Sequence, residues 1–350
     1  MNDLATRDVH GPVHTLRSEL AEWDPTLEQW KAPRGFTLER FRPDGKIDES
    51  ECLSSDGSIS RSSYVYDALG LLREARFGRN DESNVKTLYS YDERGRLTRV
   101  ASVDRDGAES ESETDSYGQD GRRTKVYLVP KLEPKTWFSF GIEGTALSYG
   151  AEGATTITTR YDDVGQPFEV VFSGADERVL RRVIFTRDST GRLMKEEMHL
   201  CESPAFPGIE KELENAQPEA REAAMAMFAN LFGSRMVFSS TTYGYDEKGR
   251  LLERRTRMGE LADERTTFRY DDMDKPVEET HEHTSREMRV DEEGNLAQAQ
   301  ETSHTQDTHF EYSYDAQGNW TERAVWSRLR PNPNFERSNV TRREIAYYAI

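Results

Sequence analysis

Tyr243-Gly244-Tyr245-Asp246-Glu247-Lys248-Gly249-Arg250-Leu251 is the stretch that decides how this chain is read. Tyr243 and Tyr245 are two residues apart, so on a strand both side chains leave the same face. The Asp246 carboxylate can accept from backbone N–H groups just beyond it, which opens a turn. Gly249 has no Cβ and takes positive φ without a clash, which closes a bulged hairpin turn. Arg250-Leu251-Leu252-Glu253 then begins the return strand. One short motif supplies an aromatic anchor, a turn opener and a turn closer.

Copies of it run through the chain. The strong ones are Tyr64-Val65-Tyr66-Asp67-Ala68-Leu69-Gly70, Tyr89-Ser90-Tyr91-Asp92-Glu93-Arg94-Gly95 and Tyr312-Ser313-Tyr314-Asp315-Ala316-Gln317-Gly318. Looser copies place Asp162 with Gly165, Asp188 with Gly191, and Asp291 with Gly294. Two are damaged. Gly118 stands at the Asp position before Gly121, and Asp274 stands at the Gly position after Asp271. Neighbouring copies recur at roughly 20–26 residues, a period typical of repeat architectures. That length suits two strands and two turns. Asp104-Arg105-Asp106-Gly107 and Met258-Gly259-Glu260 fall mid-interval and are expected to be the opposite-end turns.

With these motifs in hand, the chain resembles the YD-repeat, or Rhs-repeat, family across most of residues 36–325. The resemblance implies long β-hairpins; large members of that family build shells around toxins. No stretch after the last repeat resembles a toxin domain, so a short stand-alone repeat sheet is expected. The motif is specific for the repeat and says little about activity.

The expected fold is all-β: a long antiparallel hairpin meander of roughly twenty strands that curls, rolls or nearly closes into one large curved or rolled sheet. The Tyr-x-Tyr pairs are expected to stack as an aromatic ladder between hairpins. Residues 1–35 read as a segment covering the first sheet edge, because an open edge invites unwanted pairing. Hairpins fill 36–127, 159–201 and 235–350, the last ending in a closing strand. Residues 128–158 are an aromatic, glycine-rich insertion. Residues 202–234 are a second insertion, where Ala220, Ala223, Ala224, Met227, Phe228 and Leu231 recur at helical spacing and place a helix near 207–232.

Composition narrows the function. The formal net charge is −18, with 35% hydrophobic and 32% charged residues. That argues against nonspecific nucleic-acid or anionic-membrane binding. The basic pairs Arg122-Arg123, Arg181-Arg182 and Arg254-Arg255 are interleaved with acids and read as solvated strand faces. Cys52 and Cys201 imply no disulfide framework. No stretch is long and apolar enough for a membrane helix. The N-terminus lacks the pattern of a signal peptide, so the sequence as written reads as cytoplasmic, or as secreted or periplasmic if a leader has been removed.

Two groups of residues are candidates for function. Trp137, Phe138 and Phe140 could contact a sugar ring or a protein, or could plug the sheet. His281 and His283 share a strand face. A hairpin centred between Glu292 and Glu293 would set His281 opposite His304, and neutral imidazoles suit zinc or copper. A polar strand face is the plainer reading. Asp67, Gly70, Asp92, Gly95, Asp162, Gly165, Asp188, Gly191, Asp246, Gly249, Asp291, Gly294, Asp315 and Gly318 are assigned to turn geometry. No phosphate loop, nucleophile elbow or metal-spacing motif occurs, and no cofactor is expected. The leading expectation is a non-catalytic scaffold or binding module for a protein or a glycan. The alternatives are a component of an Rhs-type secreted toxin system, and a metal-dependent enzyme using the histidine face.

Overall fold

The computed structural model describes residues 3–80, 82–129, 139–141, 148–150, 153–201, 237–259, 261–290 and 296–349. The helix expected near 207–232 lies outside them, as do Trp137, Phe138 and the Asp291–Gly294 turn. The chain divides into two compact units. One comprises Met1–Glu111, Tyr270–Glu279 and Gln306–Ile350; the other comprises Ser112–Arg269 and Thr280–Thr305.

The architecture is an antiparallel β-meander, with one short helix, Asp3–Thr6, among the described residues. Twenty-one strands belong to one sheet, and Ser139–Gly141 with Ser148–Gly150 make a separate pair. In the first unit, strands Phe36–Phe41, Ile47–Leu53, Ile59–Tyr66, Leu72–Arg79, Glu82–Tyr91 and Leu97–Val103 each pair with the next. In the second, the succession runs from Arg123–Leu128 to Ala262–Tyr270. No helix of the described residues is long and apolar enough to cross a membrane.

The N-terminal segment corrects the expectation of an open curved or rolled sheet with a covered edge. Val13–Asp24 is itself a strand of the sheet. It pairs with Phe36–Phe41 on one side and with Glu336–Tyr347 on the other. The first and last strands of the repeat array are therefore joined through it, and the hydrogen-bond order closes at this seam. A strand paired on both sides leaves no edge at this point of the first unit, which a covering segment would have left. Trp23 pairs with Trp30 in a small hairpin, and their rings meet edge-on at 5.0 Å.

Each unit has its own core. In the first, Leu4, Val9, Val13, Leu16, Phe41 and Ile47 cluster, and Ala21, Ala324 and Val340 form a smaller group. In the second, Ile157, Val170, Phe172, Val183, Phe185, Leu193 and Tyr243 pack together. The residues Val170, Phe172, Val183 and Phe185 show the period of two that puts alternate side chains on one face. The other face carries cross-strand ion pairs, such as Arg40 with Glu49 and Arg61 with Glu51 in the first unit. Exposed pairs of this kind contribute about 0–1 kcal/mol each. They keep the outer face solvated more than they hold the sheet together.

One basic pair was misread. Arg123 is not on a solvated face; its Nε donates to Asp115 at 2.6 Å, and the Asp115 side chain is fully buried.

Candidate functional site

The feature repeated most faithfully is a clamp between successive turns. At Asp92, the backbone N–H donates to the Arg96 carbonyl at 2.9 Å, and the Gly95 N–H donates to the Asp92 carbonyl at 2.9 Å. Oδ1 of Asp92 accepts from the N–H groups of Arg94 and Arg96, while Oδ2 accepts from Arg96 Nε at 2.8 Å. The same double acceptance recurs at Asp67, Asp162, Asp188, Asp246 and Asp315. The closing glycines sit at φ between 74° and 85° in these turns, the region that a Cβ disfavours.

The second tyrosine of the motif joins one repeat to the one before it. Tyr66, Tyr91 and Tyr245 donate to the carbonyls of Ile47, Leu72 and Leu193 at 2.9, 2.8 and 2.8 Å. Each acceptor begins the strand that leaves the preceding turn. Cations of that preceding repeat cover the rings: Arg42 lies 4.9 Å from the Tyr66 centroid, Arg73 4.9 Å from Tyr91, and Arg192 5.2 Å from Tyr245. Burial raises the pKa of all three phenols, that of Tyr66 to about 12. These hydroxyl and cation contacts are the links seen between repeats, where a ladder of stacked Tyr-x-Tyr rings was expected. Tyr312 and Tyr314 do stack at 6.1 Å, but within one strand.

The three histidines gather in the second unit. His283 and His304 have ring centroids 5.0 Å apart, and His281 and His304 are 6.4 Å apart. The expected register set His281 nearest His304; His283 is nearer. Both rings stand near His304, as residues that share a strand face allow. His283 Nδ1 lies 3.2 Å from Glu264 Oε1, and His281 Nδ1 lies 3.2 Å from Thr266 Oγ1. As the side chains stand, no group of three His, Cys, Asp or Glu among the described residues is arranged to hold a metal ion.

Beside them lies a cavity of about 650 Å³ lined by Arg255, Arg257, Arg265 and Arg286 together with Asp263, Glu282 and Glu301. Its charges answer one another. Arg255 pairs with Asp263 at 2.6 Å, Arg265 with Glu282 at 3.3 Å, and Arg286 with Glu301 at 3.1 Å. A buried pair was not foreseen: Tyr243 donates to Glu196 at 2.6 Å, and burial followed by that bond drives the phenol pKa up. The motif marks Tyr243 as an anchor but carries no sign of an acid opposite it. Of the aromatic trio, Phe140 has its backbone in the Ser139–Gly141 strand, opposite Tyr149.

The family model described as RHS Repeat matches residues 66–109, the segment that contains the Asp67 and Asp92 turns and the Tyr91 clamp. Residues 66–109 therefore carry an Rhs repeat. Comparison with curated proteins gives no match. Among solved structures, the chain is similar to a porin-like protein from Bacteroides uniformis, at 10% identity and a TM-score of 0.32, with 96% of this chain and 98% of that one covered. It is also similar to a chain of the Photorhabdus luminescens Tc holotoxin pore, at 14% identity and a TM-score of 0.24. A TcdB2–TccC3 structure without the hypervariable C-terminal region matches at 13% identity and 0.24. The chain spans 20% of the length of each of those two toxin chains.

Proposed function

We propose that this Rhs-repeat chain is a non-catalytic scaffold of an Rhs-type toxin system, and that it holds or carries a protein partner. The observation that carries this reading is the clamp. Each tyrosine hydroxyl fixes one repeat to the backbone of the repeat before it, and the guanidinium above the ring limits sliding. The chain's repeated side-chain chemistry is thus devoted to joining strands, as a wall requires. The RHS Repeat match supports the system-level reading. Deleting the gene in its native source and scoring survival of co-cultured competitor cells tests it. Loss of killing, together with stoichiometric recovery of a toxin-type protein on the immobilised chain, is expected. Unchanged killing would sink the toxin-system reading.

A second reading is favoured by the histidine rings. A transition metal at His281, His283 and His304 would make the face an enzyme site. Elemental analysis of the untagged protein decides it, and absence of a stoichiometric transition metal removes it.

A further inference from the structure

Arg323, on the strand Trp320–Leu329, and Arg343, on Glu336–Tyr347, lie in the first unit. Arg323 is opposite Thr341 in the register, so Arg343 is its diagonal neighbour on the same face. Both guanidiniums converge on one indole: Arg343 stands 3.4 Å from the Trp320 ring centroid and Arg323 stands 5.6 Å from it. Trp320 itself is buried.

The carboxylates nearby are committed elsewhere. Asp8 pairs with Lys275 at 2.5 Å and accepts from Trp320 Nε1 at 3.1 Å. Glu39 accepts from Arg7 at 2.7 Å. An N–H of Arg323 reaches the Tyr312 hydroxyl, which in turn donates to the Pro276 carbonyl. What remains is unmet: Nε of Arg323, and Nε and Nη1 of Arg343, are buried nitrogens with no hydrogen-bond partner. Neither arginine has an ion pair among the described residues. Burial pulls the Arg343 pKa down to about 10; the Asp8 and Glu39 charges oppose the fall and the Arg323 charge adds to it.

A buried donor without a partner is costly, and a buried unpaired charge more so. Water could take up the hydrogen bonds, but it would leave two like charges facing one indole. An anion answers both deficits, and charge-assisted bonds from guanidinium to oxyanion are among the stronger ones available. We propose that Arg323 and Arg343 form a binding site for one small oxyanion, a phosphate or a carboxylate, seated beside Trp320. Each arginine is only partly buried as a residue, although the unmet nitrogens themselves are buried. The chain's net charge of −18 makes a concentrated positive site a local feature and not a reflection of overall composition.

The test is isothermal titration of the full untagged chain with inorganic phosphate, and separately with acetate, against chloride at matched ionic strength. One anion per chain is expected. Its affinity should fall at least tenfold in Arg343→Met and in Arg323→Met, and the titration heat should vanish in the double variant. The ion-free variants should melt no lower than the parent, because each removes an unpaired buried charge. Phosphate also stabilises folded proteins generally by exclusion from their surface. Only the part of the phosphate-induced rise in Tm that the double variant loses therefore counts. No saturable heat from either anion, or equal affinity in the parent and the double variant (an adventitious ion only), would overturn the proposal.

Discussion

The turn at Asp246 and the turn at Asp271 close in the same way with different parts. In the first, Asp246 N–H donates to the Arg250 carbonyl at 2.9 Å and Gly249 N–H donates to the Asp246 carbonyl at 3.0 Å. In the second, Asp271 and Asp274 make the equivalent bonds at 2.9 and 3.2 Å. Gly249 sits at φ 84° and Asp274 at φ 60°. Arg250 stays home and pairs with Asp246, whereas Lys275 leaves its turn for Asp8. Asp271 Oδ2 accepts from the Tyr314 hydroxyl at 3.3 Å. At Gly118 the acceptor side chain is missing, yet the same two backbone bonds form at 2.9 Å. The closure is thus a property of the backbone, and the conserved-looking side chains lower its cost.

If that is right, the closing glycine is where damage should be greatest. A Cβ at Gly249 would meet nothing nearer than 3.9 Å, so the effect of Gly249→Val is backbone strain and not collision. A loss of about 2 kcal/mol is expected, read as a lower midpoint in urea unfolding. An unchanged midpoint would break the comparison, since it would make the intact turn as tolerant as the damaged one. Tyr91→Phe should come next. It removes the hydroxyl bond to Leu72 and leaves that carbonyl unmet, at a cost of about 1 kcal/mol. Trimming Tyr91 but sparing Asp92 also separates the link between repeats from the turn itself.

The two regions also explain what could be read in advance. The turns were legible because each needs particular chemistry at fixed offsets: a short acceptor, then a residue without Cβ. The strand content followed from the period-two tyrosines. Closure through Val13–Asp24 was not legible. Gly11 to Glu19 alternates like any strand, and nothing local tells an edge cover from a strand paired on both sides. The tyrosine hydroxyl links were not legible for a related reason. The motif shows which face a ring takes, but not that the preceding repeat lays a guanidinium over it. Arg323 and Arg343 carry no motif; only the committed Asp8 and Glu39 reveal that they are unpaired. The grouping of His281 and His283 near His304 was legible because residues two apart share a strand face.

The reverse substitution sharpens the comparison with a smaller effect of opposite sign. Asp274→Gly should relieve the left-handed strain at φ 60°. Glycine also makes the unfolded chain freer, which offsets part of the gain. The net should be a stabilisation of no more than about 0.5 kcal/mol. A loss of stability would mean that the Asp274 side chain holds something the turn geometry does not show.

The smallest effect concerns the carboxylate itself. The backbone N–H of Arg96 holds the Asp92 pKa below its usual value, against an opposing effect of desolvation and with further help from the Arg96 side chain. Because the folded value is the lower one, the stabilisation is present above the unfolded pKa of about 3.9 and is lost as pH falls through the folded value. Asp92→Asn keeps the amide oxygen as an acceptor for the turn but cannot titrate. Near pH 7 it should melt almost like the parent, short of the Arg96 pairing. Below about pH 4 its stability should fall less steeply than the parent's. Parallel acid limbs for Asp92→Asn and the parent in a Tm-against-pH series would show that the charge of the turn aspartate is dispensable, leaving hydrogen-bond acceptance as its whole role.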